Sequence, residues 1–103
     1  MIKVSALYPN RPRKTFDIDY YCDKHIPMIL ELLGDSLKGA AIEHGLSGVG
    51  PGSPPTYIAM GHLYFNSIEE YQNSFGPHSD QILADVPNYT DIQPIVQISE
   101  VRL

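Results

Sequence analysis

The run Thr56-Tyr-Ile-Ala-Met-Gly-His-Leu-Tyr-Phe-Asn66 constrains this chain more than any other segment. It is dense in aromatic and large apolar residues and contains no proline, so it reads as a β-strand. Alternation places Ile58, Met60, His62 and Tyr64 on one face, and Tyr57, Leu63 and Phe65 on the other. An antiparallel strand with one wet face alternates cleanly between apolar and polar residues, and this one does not. Both of its faces therefore call for cover. Helices can supply one layer. A contiguous apolar patch left on the other face is rare on a monomer, and packing against an identical sheet about a two-fold axis removes it. The strand thus predicts a homodimer.

The remaining segments fall into place around that strand. Residues 2–8 alternate as a first strand, broken by Asn10-Arg11-Pro12-Arg13. Asp17 is placed to cap a helix running through Tyr20-Tyr21-Cys22-Asp23-Lys24-His25. Pro27 lacks an N–H and clashes with the preceding turn, so a kink or restart is predicted there, with a second helical piece over 28–33 ending at Gly34. Residues 36–46 read as extended. Gly45 to Pro55, rich in glycine and proline, reads as a long mobile connection able to cover a pocket mouth. Ser67 with Glu70 forms a capping box opening a helix through Tyr71 and Phe75, interrupted at Gly76-Pro77 and resumed over 79–84. Residues 85–91 are turn-rich, and 92–101 close the chain as a strand with Pro94 near its start. The order β-α-β-β-α-β is the ferredoxin-like α+β arrangement: a four-stranded antiparallel sheet with both helices on one face. At 103 residues this is one domain spanning 1–103.

Composition removes several function classes. The net charge is −5, and no basic stripe is present to neutralise a nucleic-acid backbone or an anionic membrane. No apolar run approaches the roughly 20 residues that span a bilayer. The N-terminus alternates like a strand and carries no signal-peptide pattern, which points to the cytoplasm. The lone Cys22 excludes an internal disulfide framework, and flanking Tyr21 and Asp23 do not favour its thiolate. The four histidines show no metal-ligand spacing, so no metal and no cofactor is predicted.

Asp17, Tyr21 and His25 lie four apart, which puts a carboxylate, a phenol and an imidazole on one face of a continuous helix. Together they can move protons, since histidine titrates near neutrality and tyrosine donates to a developing oxyanion. A purely structural account also fits: Asp17 as cap, Tyr21 as core, His25 as the end of the first helical piece. His62 sits mid-strand with Met60 and Tyr64, where a polar group must be hydrogen-bonded or line a cavity.

The string Phe16-Asp17-Ile18-Asp19-Tyr20-Tyr21-Cys22-Asp23-Lys24-His25-Ile26-Pro27 resembles the signature of the EthD family, named for a protein linked to bacterial degradation of ethyl tert-butyl ether. The first strand ending in Tyr8-Pro9-Asn10 and the stretch Ala84-Asp85-Val86-Pro87-Asn88-Tyr89-Thr90 extend the resemblance over nearly the whole chain. It implies a dimeric α/β barrel, a fold whose relatives include cofactor-independent quinone-forming monooxygenases, muconolactone isomerase and haem-linked enzymes. Carried over by position, it marks Phe16, Tyr20, Tyr21, His25, Pro27, Asp85, Pro87 and Asn88.

The expected activity is an oxidoreductase-type reaction free of organic cofactors, on a small hydrophobic or aromatic compound held in a pocket between sheet and helices. His25 would act as base or acid, with Tyr21 or Tyr8 orienting an oxygen. Phe16, Tyr20, Met60, His62 and Tyr64 are the substrate-binding candidates, the last three if the pocket opens on their face. A lyase or isomerase would use the same proton transfers. The competing class is a non-catalytic protein that binds a hydrophobic intermediate or supports a partner oxygenase.

Overall fold

A computed structural model describes all residues, 1–103. Four strands, β1 (Ile2–Pro9), β2 (Gly39–His44), β3 (Tyr57–Phe65) and β4 (Ile95–Glu100), form one antiparallel sheet in the order β2-β3-β1-β4. The register pairs Val4 with Leu63 and Ile98, and Ala6 with Gly61 and Val96. These residues and Tyr8, Ala59 and Phe65 point to the helices. Lys3, Ser5, Leu7, Ile58, Met60, His62 and Tyr64 point away from them. The arrangement is ferredoxin-like, with both helical segments on one face.

Two strands are shorter than their sequence patterns. Residues 34–36 close as a 3₁₀ turn before β2 begins at Gly39, and β4 starts only after Pro94, which has no N–H to give a ladder.

The first helical segment solves the proline problem differently from a kink. Asp17 is extended, and its side chain accepts the Tyr20 N–H at 3.0 Å to open α1 (Ile18–Tyr20). The backbone then widens into a π-helical stretch over Tyr21–His25, in which the Ile26 N–H reaches back five residues to the Tyr21 carbonyl. Widening relieves the clash a proline ring makes with the carbonyl four residues earlier, so Pro27 enters the first turn of α2 (Ile26–Leu33) without breaking the segment. The segment stops at Gly34, whose φ of 54° suits glycine. The second runs through α3 (Ile68–Phe75), capped by the Ser67 side chain on the Glu70 N–H as the capping box requires, a 3₁₀ turn at Gly76–His78, and α4 (Ser79–Asp85).

Val4, Leu63 and Phe65 from the sheet meet Ile26, Ile29, Leu33 and Ile82 from the helices to form the core. The molecule measures 41 × 33 × 19 Å. Its least dimension holds one sheet and one helical layer, each about 10 Å deep. The far face of the sheet has no layer over it, and Leu7, Ile58, Met60 and Tyr64 are only partly buried there. No helix is long and apolar enough to cross a membrane.

Candidate functional site

Between the helix-side face of the sheet and the helices lies a cavity of about 270 Å³. Its walls are mostly apolar. The lining residues that carry polar side-chain groups are His25, Tyr8, Tyr21, Tyr71 and Tyr89.

His25 stands at the end of the π-helical stretch and is only 3% exposed. Its Nδ1 lies 2.9 Å from Asp85 Oδ2, at the end of α4. Asp85 is itself held, with Oδ1 accepting from the Tyr20 hydroxyl at 2.7 Å and the Asn88 amide at 2.9 Å. A carboxylate at Nδ1 fixes the proton on that nitrogen and leaves the Nε2 lone pair without a protein partner. Burial pulls the His25 pKa down, against the opposing pull of the Asp85 hydrogen bond and charge, so the imidazole is neutral at neutral pH. Burial would raise Asp85, yet the bonds from Asn88, His25 and Tyr20 outweigh it and hold the carboxyl below its usual range. The result is a base with a fixed tautomer, backed by a permanent carboxylate.

The phenols form a second group beside it. The Tyr8 and Tyr89 hydroxyls are 2.7 Å apart, and the Tyr21 hydroxyl neighbours that of Tyr8. Burial raises the pKa of all three, helped at Tyr21 and Tyr89 by the neighbouring Tyr8 oxygen. They stay protonated at any physiological pH and can act only as neutral donors or acceptors. Ring packing fixes them: Phe16 lies edge-on to Tyr8, Tyr21 and Tyr89 at 4.9, 5.1 and 5.4 Å, and the His25 ring stacks against Tyr21 at 5.6 Å. Gly61 makes room for this group, since a Cβ there would collide with the Tyr21 hydroxyl.

The EthD domain family matches residues 13–93, the interval that supplies His25, Asp85, Tyr21 and Tyr89. The chain belongs to the EthD family. A crystal structure of an EthD-like protein from Ralstonia eutropha JMP134 is 41% identical, covers 99% of this chain and 92% of its own, and superposes with a TM-score of 0.95. An EthD family protein from Bacillus halodurans C-125 is 18% identical, with 99% of each chain covered and a TM-score of 0.69, which is a likeness of fold. No curated protein matches the chain.

In this EthD domain the residues singled out by sequence separate into two sets. Tyr8, Tyr21 and His25 converge on the cavity. Phe16 backs their rings, and Tyr20 reaches Asp85 rather than the cavity. His62, Met60 and Tyr64 lie on the opposite face of the sheet, where Ser5 Oγ meets His62 Nδ1 at 2.8 Å and Glu43 Oε1 lies 3.4 Å from Nε2. Asp17 serves its cap and joins neither set. No residue of the 45–55 connection lines the cavity. That loop is tied to itself and to Asn10, whose amide donates to the Pro55 carbonyl. Cys22 is exposed, and desolvation, then Asp23 and Asp19, push its thiol up. No cluster of three or more His, Cys, Asp or Glu is arranged to hold a metal.

Reading the sequence residue by residue missed Tyr89 and Gly61 and gave Asp85 no role. A glycine inside the strongest strand is itself a signal of close approach by another group. The Asp85-x-Pro87-Asn88-Tyr89 string carried the other two, without saying that Asp85 meets His25.

Proposed function

We propose that this protein is an enzyme that moves a proton on a small hydrophobic or aromatic carbonyl compound, without an organic cofactor, in a degradative or polyketide-type pathway. The observation that carries the reading is the pairing of His25: its Nδ1 lies 2.9 Å from Asp85 Oδ2 while its ring lines the cavity, an arrangement that favours the proton on Nδ1 and leaves Nε2 free. In the reaction His25 Nε2 takes a proton from the carbon next to the carbonyl, and the electron pair left behind moves onto the carbonyl oxygen. A phenol of the Tyr8, Tyr21 and Tyr89 group donates to that oxyanion, and Asp85 stabilises the imidazolium. The enolate is the common entry to isomerisation, to loss of a β-hydroxyl as water, and to an oxidoreductase reaction in which dioxygen from solution accepts the electrons.

Deuterium incorporation from D₂O into cyclic aromatic ketones such as β-tetralone, followed by proton NMR, tests the reading without knowledge of the natural substrate. Acceleration by the protein that disappears in His25→Gln supports it. No acceleration over buffer for any ketone of such a panel overturns it in favour of a binding protein that holds a hydrophobic intermediate or supports an oxygenase.

The reading includes a cytoplasmic homodimer joined through the uncovered sheet face, supported by the partly buried Leu7, Ile58, Met60 and Tyr64. Sedimentation at low micromolar concentration that finds only the 11.5 kDa species would remove the dimer.

A further inference from the structure

We infer that the molecule taken up by this cavity carries an anionic tail, a carboxylate or a phosphate ester, which leaves past Pro94 and ends against Arg11 and Arg13. The inference rests on the cavity being the substrate site, as proposed above.

The cavity has a definable mouth. Among its lining residues Leu83 on α4 and Val96 on β4 are 60% and 58% exposed, with Pro94 beside Val96. The interior holds no lysine or arginine, so it offers no permanent positive charge to a carboxylate or phosphate. A permanently ionised group on the ligand is better accommodated outside.

A cationic depression follows next along the chain, its lining ending at Gln93, the residue before Pro94 of the cavity lining. The protein carries a net charge of −5 and only 7 lysines and arginines, yet Arg11, Arg13 and Lys14 fall within four positions. They line an open depression whose other wall is Asp91, Ile92 and Gln93, directly before Pro94. Asp91 lies 3.9 Å from Lys14 and offsets its charge. Arg11 and Arg13 are exposed and have no acidic partner. The turn that presents them is closed by the Lys14 N–H on the Arg11 carbonyl at 3.3 Å, with Arg13 at φ 65°, a left-handed conformation uncommon outside glycine.

The turn is also fastened to the cavity wall. The Thr15 N–H donates to Asp91 Oδ1 at 3.0 Å, the Thr90 hydroxyl donates to the Thr15 carbonyl at 2.7 Å, and Phe16 bridges to Thr90. The end of the turn is therefore held against Thr90 and Asp91, beside Tyr89 of the cavity lining. Two unpaired guanidiniums suffice for one anionic group, and are too few for a nucleic-acid backbone.

Three matched probe series test this: ω-phenylalkanoates, ω-phenylalkyl phosphates and ω-phenylalkanols of increasing tail length, titrated into ¹⁵N-labelled protein with the Tyr21 and Tyr89 amide signals as cavity reporters. At some tail length the acids should bind about two- to thirtyfold more tightly than the alcohol, the range expected for two exposed ion pairs. Arg11→Gln with Arg13→Gln should abolish that preference while leaving alcohol binding unchanged, and about 1 M salt should shrink it. A larger preference for the phosphate over the carboxylate identifies the phosphate ester as the tail. Equal binding of acid and alcohol at every length, a preference that survives in the double variant, or probes that leave the reporters unmoved each overturns the inference. His25→Gln separates it from the proton-transfer reading. A parent protein that accelerates no deuterium exchange yet keeps the preference for acids removes the proton-transfer reading and leaves the tail standing, and lost exchange in His25→Gln with that preference intact supports both.

Discussion

Each face of the sheet buries one histidine, and the two are held in opposite ways. On the helix side His25 gives Nδ1 to Asp85 and keeps Nε2 for an apolar cavity. On the uncovered side His62 spans three strands, with Ser5 of β1 at 2.8 Å on Nδ1 and Glu43 of β2 at 3.4 Å on Nε2. A histidine with one nitrogen anchored and one open can exchange a proton with a ligand. A histidine engaged at both nitrogens by protein groups joins strands, and has nothing left to offer without breaking a bond. Burial alone does not distinguish them, since they are 3% and 7% exposed. The distinction lies in what remains unpaired.

The largest effect expected from this difference is on exchange chemistry. His25→Gln should lower ketone deuteration by about 10² to 10⁴-fold, the usual range for loss of a general base. His62→Leu should change it by less than about twofold, while lowering stability by about 1–3 kcal/mol because the buried Ser5 hydroxyl loses its partner. Parallel deuteration assays and urea melts of the two variants check this. Equal loss of exchange in both would merge the two faces into one site and end the comparison.

Glycines on β2 and β3 offer a second contrast. At Gly61, on the helix side, an added Cβ would run into the Tyr21 hydroxyl, which ring packing against Phe16 and Tyr8 keeps from moving away. Gly61→Ala should cost about 1–3 kcal/mol, the range for overpacking a filled core. At Gly39, on the uncovered side, the added Cβ would lie 3.5 Å from the Tyr64 ring, an ordinary contact. Gly39→Ala should stay within about 0.5 kcal/mol of the parent. Urea denaturation midpoints decide the matter, and a mild Gly61→Ala would mean that the phenol cluster is looser than its packing implies.

Much of this architecture was legible from the chain. The double-sided apolar run at 56–66 called for cover on both faces, and the Ser67–Glu70 and Asp17 caps marked where helices start. Local signals of this kind survive because they depend on a few neighbouring residues. Pro27 was legible as a problem, but not its solution, since a π-helical widening leaves no composition signature. The site was legible by halves. Tyr8, Tyr21 and His25 sit where one strand and one helix bring them, whereas Asp85 and Tyr89 arrive from 60 and 81 residues away through tertiary packing. Which face His62 would take was open for a different reason. Alternation assigns residues to two faces, and only the helices decide which face lies over the cavity.

The smallest expected effect concerns acid, and it belongs to the helix-covered side. The folded-state pKa of His25 lies below its ordinary value of 6.5, so between that folded value and 6.5 the unfolded chain binds more protons than the folded one. Stability must then fall as pH drops through this interval, and it is insensitive to His25 above it. Asp85 acts in the same direction lower down: its carboxyl is held below 3.8, so its contribution is complete above that pH and is lost as pH falls through the folded value. Acid should therefore weaken the fold in two stages, first from about pH 6.5 with His25 and then below about pH 3.8 with Asp85. His25→Gln should flatten the first stage, and it should also diminish the second, because one of the three bonds that hold Asp85 down comes from His25. Chemical denaturation across this range, for parent and variant, measures both slopes. An unchanged upper slope in the variant would show that the imidazole is not buried in its neutral form, and with it the fixed lone pair that sets His25 apart from His62 would be lost.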